Sequence, residues 1–393
     1  MITGNKELIR DINSTIVLET IINSEPISRA NLSKKLGLTK ATISSIVQDL
    51  INQNLILEIG SDETLYGRKP ILLSFHKRAG VAISIDLGLT ITSAVLTNLK
   101  GEVLQYMEMQ TPAAPPAIVP QLINLVNSMV GKSPKTFYGL IGISIGIHGI
   151  TTNNRVSFTQ YYNLSNIHLA EELEQFFHVP VTLEKEANLS ALGEHTYMYH
   201  YPNIANINVH NEISLGLVMN HQLYSGFSGY AGELGHIIVE RNGRLCACGN
   251  RGCIGEYTSI RALMKDYAEL TDKVNITIND LLIDYQNNEE PALVIVNQFI
   301  EYMTICVNNV VNIFNPDIIV INCIITNYFP EIIDEIESSL KSQMNFYQKI
   351  APSYLAQNSI LLGGVTVLVK NFLKINSLKF ATTLSKPNKI LKP

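Results

Sequence analysis

The sequence predicts a small N-terminal helical domain that ends in a hairpin, followed by a larger α/β body. Three observations lead to this prediction. Two short helix patterns with capping residues fill 28–52, apolar strands alternate with helices from residue 80 onwards, and one histidine and three cysteines lie close together between residues 236 and 253. A length of 393 residues, 46% of them hydrophobic, suits two or three domains with substantial cores.

The composition excludes several classes of protein. Only 16% of the residues are charged, which argues against long disordered tails. No apolar run approaches the ~20 residues that span a bilayer, and the N-terminus does not resemble a secretion signal. We therefore expect a cytoplasmic protein without a membrane partner. Residues 1–78 hold ten of the 29 basic and eight of the 34 acidic residues, so a net charge of −7 remains for the rest. A mildly basic head is compatible with binding to nucleic acid.

The N-terminal 76 residues predict a helix, a capped helix pair and a hairpin. Apolar residues recur at helical spacing between residues 5 and 23. Ser28 can cap a short helix that ends near Leu36, and Gly37 suits the left-handed position that closes it. Thr39 can cap a second helix, whose buried stripe comprises Ile43, Ile46, Val47 and Leu50. Two short helices joined through a glycine-containing turn match a helix-turn-helix.

The exposed face of this domain predicts double-stranded DNA as a partner. The second helix carries a lysine and several hydroxyl groups opposite its apolar stripe, and such side chains suit base edges and phosphates. The residues that follow alternate like two strands around a polar loop with two cations, a winged hairpin. The candidate DNA-binding residues are Ser28, Arg29, Thr39, Lys40, Thr42, Ser44, Ser45, Arg68 and Lys69. A small helical domain for protein contacts is the alternative.

The body begins at residue 80 with a pattern of strand, glycine turn, strand, turn and strand, typical of the opening of an actin-like lobe. An amphipathic helix through Met129 and an apolar strand at 139–147 follow. A further strand runs directly into a helix at residues 184–188, EKEAN. Ligands of α/β folds bind at the carboxyl ends of strands, so this junction is a candidate site.

The histidine and three cysteines predict a structural Zn²⁺. The ligands are His236, Cys246, Cys248 and Cys253. One imidazole and three thiolates form a complete tetrahedral set, and intervening glycines allow the chain to turn around one ion. A disulfide network is the alternative, but a cytosolic chain would keep these thiols reduced. Cys306 and Cys323 lie in apolar sequence and are predicted to be core residues.

Five segments carry a resemblance to a known family. They are GELGH at 232–236, CACGNRGC at 246–253, EKEAN at 184–188, ISRANLSKKLGLTKATIS at 27–44 and GRKP at 67–70. With them, essentially the whole chain resembles the ROK family, which groups sugar-responsive repressors with sugar kinases. It is most similar to the xylose-repressor type, in which a glutamate often stands where the kinases have a catalytic aspartate.

The resemblance implies a fold and an assembly. It implies a winged helix-turn-helix joined to a two-lobed, actin-like (ribonuclease H-like) ATPase-type body with a zinc loop, assembled as a homodimer or homotetramer. The corresponding domains are residues 1–76, 77–195 for the first lobe and 196–393 for the second lobe, unless the C-terminal helix returns to the first lobe.

The resemblance also implies that kinase activity is lost. ROK kinases bind triphosphate through glycine-rich turns whose amides approach the phosphates. Here the first loop is DLGLTI at 86–91, the second is His210–Asn211–Glu212, and the third is Asn322–Cys323. Glu212 would repel phosphate, and Glu186 places its carboxylate one methylene beyond the kinase aspartate. We therefore predict no enzymatic activity.

The sugar pocket is implied in part. By resemblance Glu233 and His236 hydrogen-bond sugar hydroxyls, His236 using its other ring nitrogen for zinc. Glu186 would accept from a further hydroxyl, unless it is only a solvated residue at a helix start. The candidate ligand-binding residues are Gly149, Lys185, Glu186, Glu233, His236 and Glu256. His148, next to Gly149, either reaches into the pocket or only packs.

Two positions depart from the family pattern. Lys185 replaces an asparagine, which points either to a ligand with a negative group or to an ion pair with Glu184 or Glu186. Gly255 replaces a glutamate, for which Glu256 could substitute by a one-residue slip.

Together these features predict a DNA-binding transcriptional regulator. We expect a repressor of carbohydrate genes that is relieved by a sugar or sugar derivative bound between the lobes. The alternatives are a repressor controlled by a protein partner, with a vestigial sugar pocket, and a sugar kinase that also binds DNA.

Overall fold

The computed structural model describes residues 6–61, 70–159, 164, 166–271 and 275–380. Within these, the chain divides into two compact units, one of residues 6–184 and 364–380 and one of residues 185–363. The predicted domain boundaries at residues 76 and 195 remain predictions.

The N-terminal part of the first unit contains three helices and a small sheet. The helices are α1 (Lys6–Ser24), α2 (Arg29–Leu36) and α3 (Lys40–Asn52). The strands are β1 (Ile27–Ser28), β2 (Ile56–Ser61) and β3 (Ile71–Phe75), in the order β1-β3-β2, and both pairs are antiparallel. The predicted helices and hairpin are confirmed, whereas the short strand β1 had no sequence signal.

The predicted capping residues form hydrogen bonds at the ends of α2 and α3. The Oγ of Ser28 accepts the N–H of Asn31 at 3.2 Å, and the hydroxyl of Thr39 accepts the N–H of Thr42 at 3.1 Å. Gly37 closes α2 with a φ of 67°. Each side-chain cap of this kind contributes about 1 kcal/mol. The predicted apolar stripe of α3 is buried, which confirms its orientation.

Helix α1 packs along only half of its apolar stripe. Leu18 and Ile22 are buried, but Leu8, Ile12 and Ile16 are 46%, 49% and 43% exposed. Helical spacing therefore located the helix correctly without showing which part of it packs.

The rest of the first unit is built on a five-stranded sheet. Its elements are β4 (Val81–Leu87), β5 (Ile91–Asn98), β6 (Val103–Gln110), α4 (Ile118–Gly131), β7 (Leu140–Ile147), the hairpin β8 (Gly149–Thr152) and β9 (Arg155–Thr159), α5 (Leu169–Phe177) and β10 (Val181–Lys185). The sheet order is β10-β7-β4-β5-β6, with β4 antiparallel to β5 and parallel to β7.

The second unit repeats this sheet order. Its strands are β11 (Ile204–Val209), β12 (Ile213–Met219), β13 (Gln222–Leu223), β14 (Ile318–Cys323) and β15 (Lys349–Pro352), arranged β13-β12-β11-β14-β15. Again the first strand is antiparallel to the second and parallel to the fourth. Both sheets therefore place a meander of three strands beside two later strands, as expected for two related lobes.

Helices complete the second unit. They are α6 (Glu186–Tyr197), α7 (Gly255–Thr258), α8 (Ile260–Thr271), α9 (Ile278–Gln286), α10 (Glu290–Phe314), α11 (Ile324–Tyr328), α12 (Glu331–Ser339) and α13 (Asn358–Leu373). From Gly364 onwards α13 belongs to the first unit. Cys306 on α10 and Cys323 on β14 are buried in the apolar core, as predicted.

Helix α10 is the one helix in the described part of the chain that is long and apolar enough to cross a bilayer. Half of its most apolar window is buried in the protein, and a core helix has the same composition.

Candidate functional site

The predicted metal ligands come together in the second unit. One ligand atom from each of His236, Cys246, Cys248 and Cys253 lies within 4.8 Å of the others. The Nδ1 of His236 is 3.6 Å from the Sγ of Cys246, and the sulfurs of Cys248 and Cys253 are 3.6 Å apart. A tetrahedral ion with Zn–N near 2.0 Å and Zn–S near 2.3 Å separates its ligands by roughly 3.6–3.8 Å. The five cysteines are free thiols, so the disulfide network is not formed.

Glycines shape the loop that carries the cysteines. Gly249 and Gly252 have φ values of 94° and 78°, a region that favours glycine. A Cβ on Gly252 would lie 1.7 Å from the carbonyl oxygen of Glu240. The sequence therefore turns tightly enough for three thiols to face the same point as His236.

Burial disfavours charge on two of the thiols. It raises the pKa of both Cys246 and Cys253, that of Cys253 to about 12. A thiol must lose its proton to bind a metal, so metal binding at this cluster would release protons and strengthen with pH.

An aromatic and charged cluster supports the same loop. The guanidinium of Arg244 lies 4.7 Å from the ring centroid of Tyr257 and donates to Asp266 at 2.8 Å. Tyr257 also stacks on the ring of Tyr302, with 4.6 Å between the two ring centroids. Sequence reasoning missed these residues, because their pairing depends on segments that are distant in the sequence.

His236 directs its two ring nitrogens to different groups. Nδ1 faces Cys246, while Nε2 lies 3.9 Å from Oε2 of Glu233. This is the division of roles that the resemblance implied, with one nitrogen for a metal and the other on the side of Glu233.

Lys185 is buried and forms an ion pair with the partly exposed Glu233. Its Nζ donates to Oε1 of Glu233 at 2.5 Å and to the carbonyl of Ala231 at 3.3 Å, and its side chain is 3% exposed. The sequence analysis proposed Glu184 or Glu186 as the partner. Strand alternation explains the difference, because Leu183 and Lys185 share the buried side of β10 and Glu184 does not.

Glu186 is a buried carboxylate, so its interpretation as a solvated residue is wrong. The residue is 7% exposed, and its Oε1 accepts from the hydroxyl of Ser214 at 2.6 Å. Its Oε2 is buried without a hydrogen-bond donor among the described residues. Leaving such an oxygen unsatisfied is costly, so the site suits a ligand that donates a hydrogen bond there.

Neighbouring residues of strand β12 contact the Glu186 carboxylate and the loop that carries Glu233. Ser214 contacts Glu186, and the next residue, Leu215, donates its N–H to the carbonyl of Gly232 at 2.9 Å. A Cβ on Gly232 would lie 1.9 Å from the Leu215 carbonyl oxygen. The glycine of GELGH therefore allows the Glu233 loop to pack directly on the strand that supports Glu186.

Glu256 forms an ion pair with Arg261. Both of its carboxylate oxygens accept from Arg261, at 2.8 and 3.3 Å, and Arg261 also donates to Glu212 at 3.0 Å. The suggestion that Glu256 replaces the missing family glutamate is therefore not supported by its contacts.

Gly149 has a structural role in its hairpin. A Cβ at this position would lie 2.2 Å from the carbonyl oxygen of Phe158 on the neighbouring strand β9. The adjacent His148 pairs with Asp86, Nε2 to Oδ1, at 2.8 Å. Both residues belong to the first unit, and the close approach across β8 and β9 accounts for the glycine.

The predicted DNA-binding residues differ in exposure. Thr39, Lys40, Ser44 and Ser45 are exposed at or near the start of α3, and Thr42 is half-buried. Ser28 is 4% exposed and serves as a cap, and Arg29 pairs with Glu58 at 2.7 Å. Arg68 and Lys69 lie outside the described residues.

Side-chain contacts hold one residue in each of the three segments that the resemblance matched to the phosphate loops of the kinases. Asp86 of the first pairs with His148, and Glu212 of the second pairs with Arg261. Asn322 of the third donates to a buried polar cluster formed by Ser190, Asn208 and Ser359.

The family model described as ROK family matches residues 82–371 of this chain. The chain belongs to the ROK family. It is 34% identical to the xylose repressor of Bacillus spizizenii over 95% of this chain and 98% of that protein. Its body therefore has the actin-like, kinase-type architecture that the resemblance implied.

Two solved structures share the fold. A ROK family transcriptional regulator homologous to the Escherichia coli MLC protein has a TM-score of 0.81 at 24% identity, and covers 93% of this chain and 96% of its own. A ROK glucokinase from Streptomyces griseus, in complex with glucose and AMPPNP, has a TM-score of 0.65 at 21% identity, and covers 73% of this chain and 99% of its own. The regulator fold accounts for more of the chain, and the repressor relatives confirm the predicted regulator class.

Proposed function

We propose that the chain is a cytoplasmic, DNA-binding transcriptional repressor of carbohydrate genes, controlled by a sugar that binds the second unit. One observation carries the sugar part of this proposal. Neighbouring residues of β12 contact the Glu186 carboxylate and Gly232, which precedes Glu233, and Glu186 keeps a buried oxygen without a donor among the described residues. A sugar hydroxyl is a suitable donor for that oxygen. The named relatives make D-xylose the first candidate.

The proposed DNA-binding domain comprises the described part of residues 6–76, a winged helix-turn-helix. Helix α3 would enter the major groove, with Lys40, Ser44 and Ser45 facing the DNA. Their exposure supports this role. Arg68 and Lys69 are proposed as wing contacts on their sequence position alone.

The proposed metal is a structural Zn²⁺ held by His236, Cys246, Cys248 and Cys253. The spacing of the ligand atoms and the His/Cys₃ donor set both suit this ion. Zinc would fix the loop that carries Glu233 and the ring orientation of His236, which is how this site would couple metal binding to sugar binding.

We further propose that the chain does not phosphorylate its sugar. A triphosphate needs backbone amides in glycine turns, and here Glu212 and Asn322 occupy two of these turns with side chains that have internal partners. Restoring phosphate binding would require breaking these contacts.

Control of DNA binding would follow from a population shift. The chain would act as a homodimer or homotetramer, with half-sites one helical turn or a multiple apart. A sugar that binds one arrangement more tightly shifts the population toward it. Moving a 1:99 equilibrium to 99:1 takes about 5.5 kcal/mol, which two or three hydrogen bonds to carboxylates at about 1.5–3 kcal/mol each can supply.

The test is fluorescence anisotropy with a duplex selected from a random library by the full chain. We expect nanomolar binding that weakens in one sugar of a panel of pentoses and hexoses. Lys40→Ala should weaken DNA binding, whereas Lys265→Ala, an exposed lysine of α8, should not. Binding that no member of the panel alters would reject the sugar effector and favour control by a protein partner.

A further inference from the structure

We propose that Lys185 is a positioning residue that holds Glu233, and that the carboxylates of Glu186 and Glu233 restrict the site to uncharged sugars. This inference rests on the proposed function and deepens it. The presence of a lysine beside a sugar pocket would by itself suggest recognition of a phosphate or a carboxylate. The contacts of this lysine indicate the opposite.

The ammonium group of Lys185 is directed to the protein. Its Nζ lies 2.5 Å from Oε1 of Glu233 and 3.3 Å from the carbonyl oxygen of Ala231. Only 3% of its side-chain surface is exposed. Lys185 therefore holds one oxygen of Glu233 in place and leaves Oε2, the oxygen nearer His236, as the one that can face a ligand.

The charge around the site disfavours an anion. Glu186 and Glu233 contribute two carboxylates to the site, and Lys185 contributes an ammonium that already pairs with Glu233. The N-terminus of α6, which would otherwise attract an anion, carries Glu186 in its own first turn. A phosphate or carboxylate on the ligand would meet this excess of negative charge in a partly desolvated place, where like charges repel more strongly than in water.

The hydrogen-bonding capacity leads to the same class of ligand. Oε2 of Glu186 and Oε2 of Glu233 can only accept while these groups are ionised. Hydroxyl groups can donate to both, whereas a carboxylate or a fully ionised phosphate placed against these oxygens has no hydrogen to donate. The site thus selects hydroxyl groups at these two positions, and Lys185 acts by fixing which oxygen of Glu233 receives one.

The first experiment compares each sugar with its anionic counterpart. Calorimetry on the full chain would use D-xylose, D-glucose, D-glucuronate and D-glucose 6-phosphate as probes. We expect heat from a neutral sugar and at least about 100-fold weaker binding of its anionic counterpart, a difference of ~2.7 kcal/mol. Tighter binding of an anionic probe would overturn this inference and leave the sugar-controlled repressor standing. Binding of none of the probes would reject the sugar site itself, and the inference with it.

The second experiment separates positioning from direct contact. Lys185→Met should weaken binding of the neutral sugar by about 10- to 100-fold, because Glu233 loses its charged partner. Lys185→Arg should keep affinity within about 3-fold, since it can retain the ion pair. Lys265→Met is the matched control and should have no effect. Thermal unfolding of each variant identifies loss of fold.

A double substitution completes the test. If Lys185 acts through Glu233, then Lys185→Met/Glu233→Gln should bind the sugar as Glu233→Gln does. Additive losses, or Lys185→Met that binds like the unmodified chain, would contradict a positioning role.

Discussion

Asn322 illustrates how single residues separate this chain from the kinases of its family. By the resemblance it stands where they have a glycine, and its amide lies 2.9 Å from Asn208 and 3.1 Å from Ser359, in a fully buried cluster. The replacement was visible in the sequence, but its partners were not, because they lie 114 and 37 residues away. The same holds for Lys185 and Glu233, which are 48 residues apart.

Restoring the glycine should therefore destabilise the chain without restoring nucleotide binding. Asn322→Gly removes one of the donors to the buried oxygens of Asn208 and Ser359, and we expect a loss of roughly 1–3 kcal/mol in the free energy of unfolding. Urea unfolding measures this loss, and Asn220→Gly is the control, because Asn220 is exposed with a φ of 52° that glycine adopts freely. ATP binding by Asn322→Gly would show that this one side chain had blocked the nucleotide.

Glu194 provides a pH-dependent prediction. It is fully buried on α6, and burial raises its pKa to about 7, although Ser353 donates a hydrogen bond to it. An unfolded glutamate titrates near 4.3, so the folded state holds the extra proton between about pH 4.3 and 7. Stability should fall as pH rises through this window, because ionising Glu194 in the folded state is unfavourable.

The substitution Glu194→Gln should remove this contribution. We compare the melting temperature of this variant with that of the unmodified chain. The difference between the two should shift in favour of the variant as the pH is raised from 5 to 8. Parallel melting profiles for the two proteins across this range would mean that Glu194 does not change its protonation there.

At the scale of elements, features that depend on adjacent residues could be predicted from the sequence. Which parts of a helix are buried by other elements could not. The caps Ser28 and Thr39 were recognisable because a cap depends on a few adjacent residues. The exposed half of α1 was not, since periodicity identifies an apolar face but not what covers it. The two-lobed architecture followed from the resemblance, and the strand positions from their apolar patterns.

The metal-binding loop gives the prediction at this scale. Cys248→Ser should lose the metal, as measured by elemental analysis of the purified chain, and sugar binding should fail because the loop carrying Glu233 loses its constraint. Cys306→Ala is the matched control, because Cys306 is buried in the core away from the cluster and should keep the metal. A metal-free Cys248→Ser chain that still binds sugar would show that the loop is ordered by its other contacts, including those of Tyr257.

At the scale of the molecule, the N-terminal helices are fixed to the rest of the first unit. The hydroxyl of Tyr138 donates to the carbonyl of Gln53 at 2.5 Å. Asn23 bonds to two residues that follow α13, donating to Ser377 at 3.2 Å and accepting from Lys379 at 2.9 Å. The proposed DNA-binding domain is therefore attached to the rest of the first unit by hydrogen bonds as well as by the continuous chain. A rearrangement within the first unit can thus be transmitted to this domain.

The most direct test of the account is the affinity for the sugar measured with and without bound operator. Linkage requires that a sugar that weakens DNA binding by a given factor is itself bound more weakly, by the same factor, when the DNA is present. We predict matching factors of at least about 10, within the usual range of such couplings. A sugar affinity that is the same with and without the operator duplex would contradict a sugar-controlled repressor.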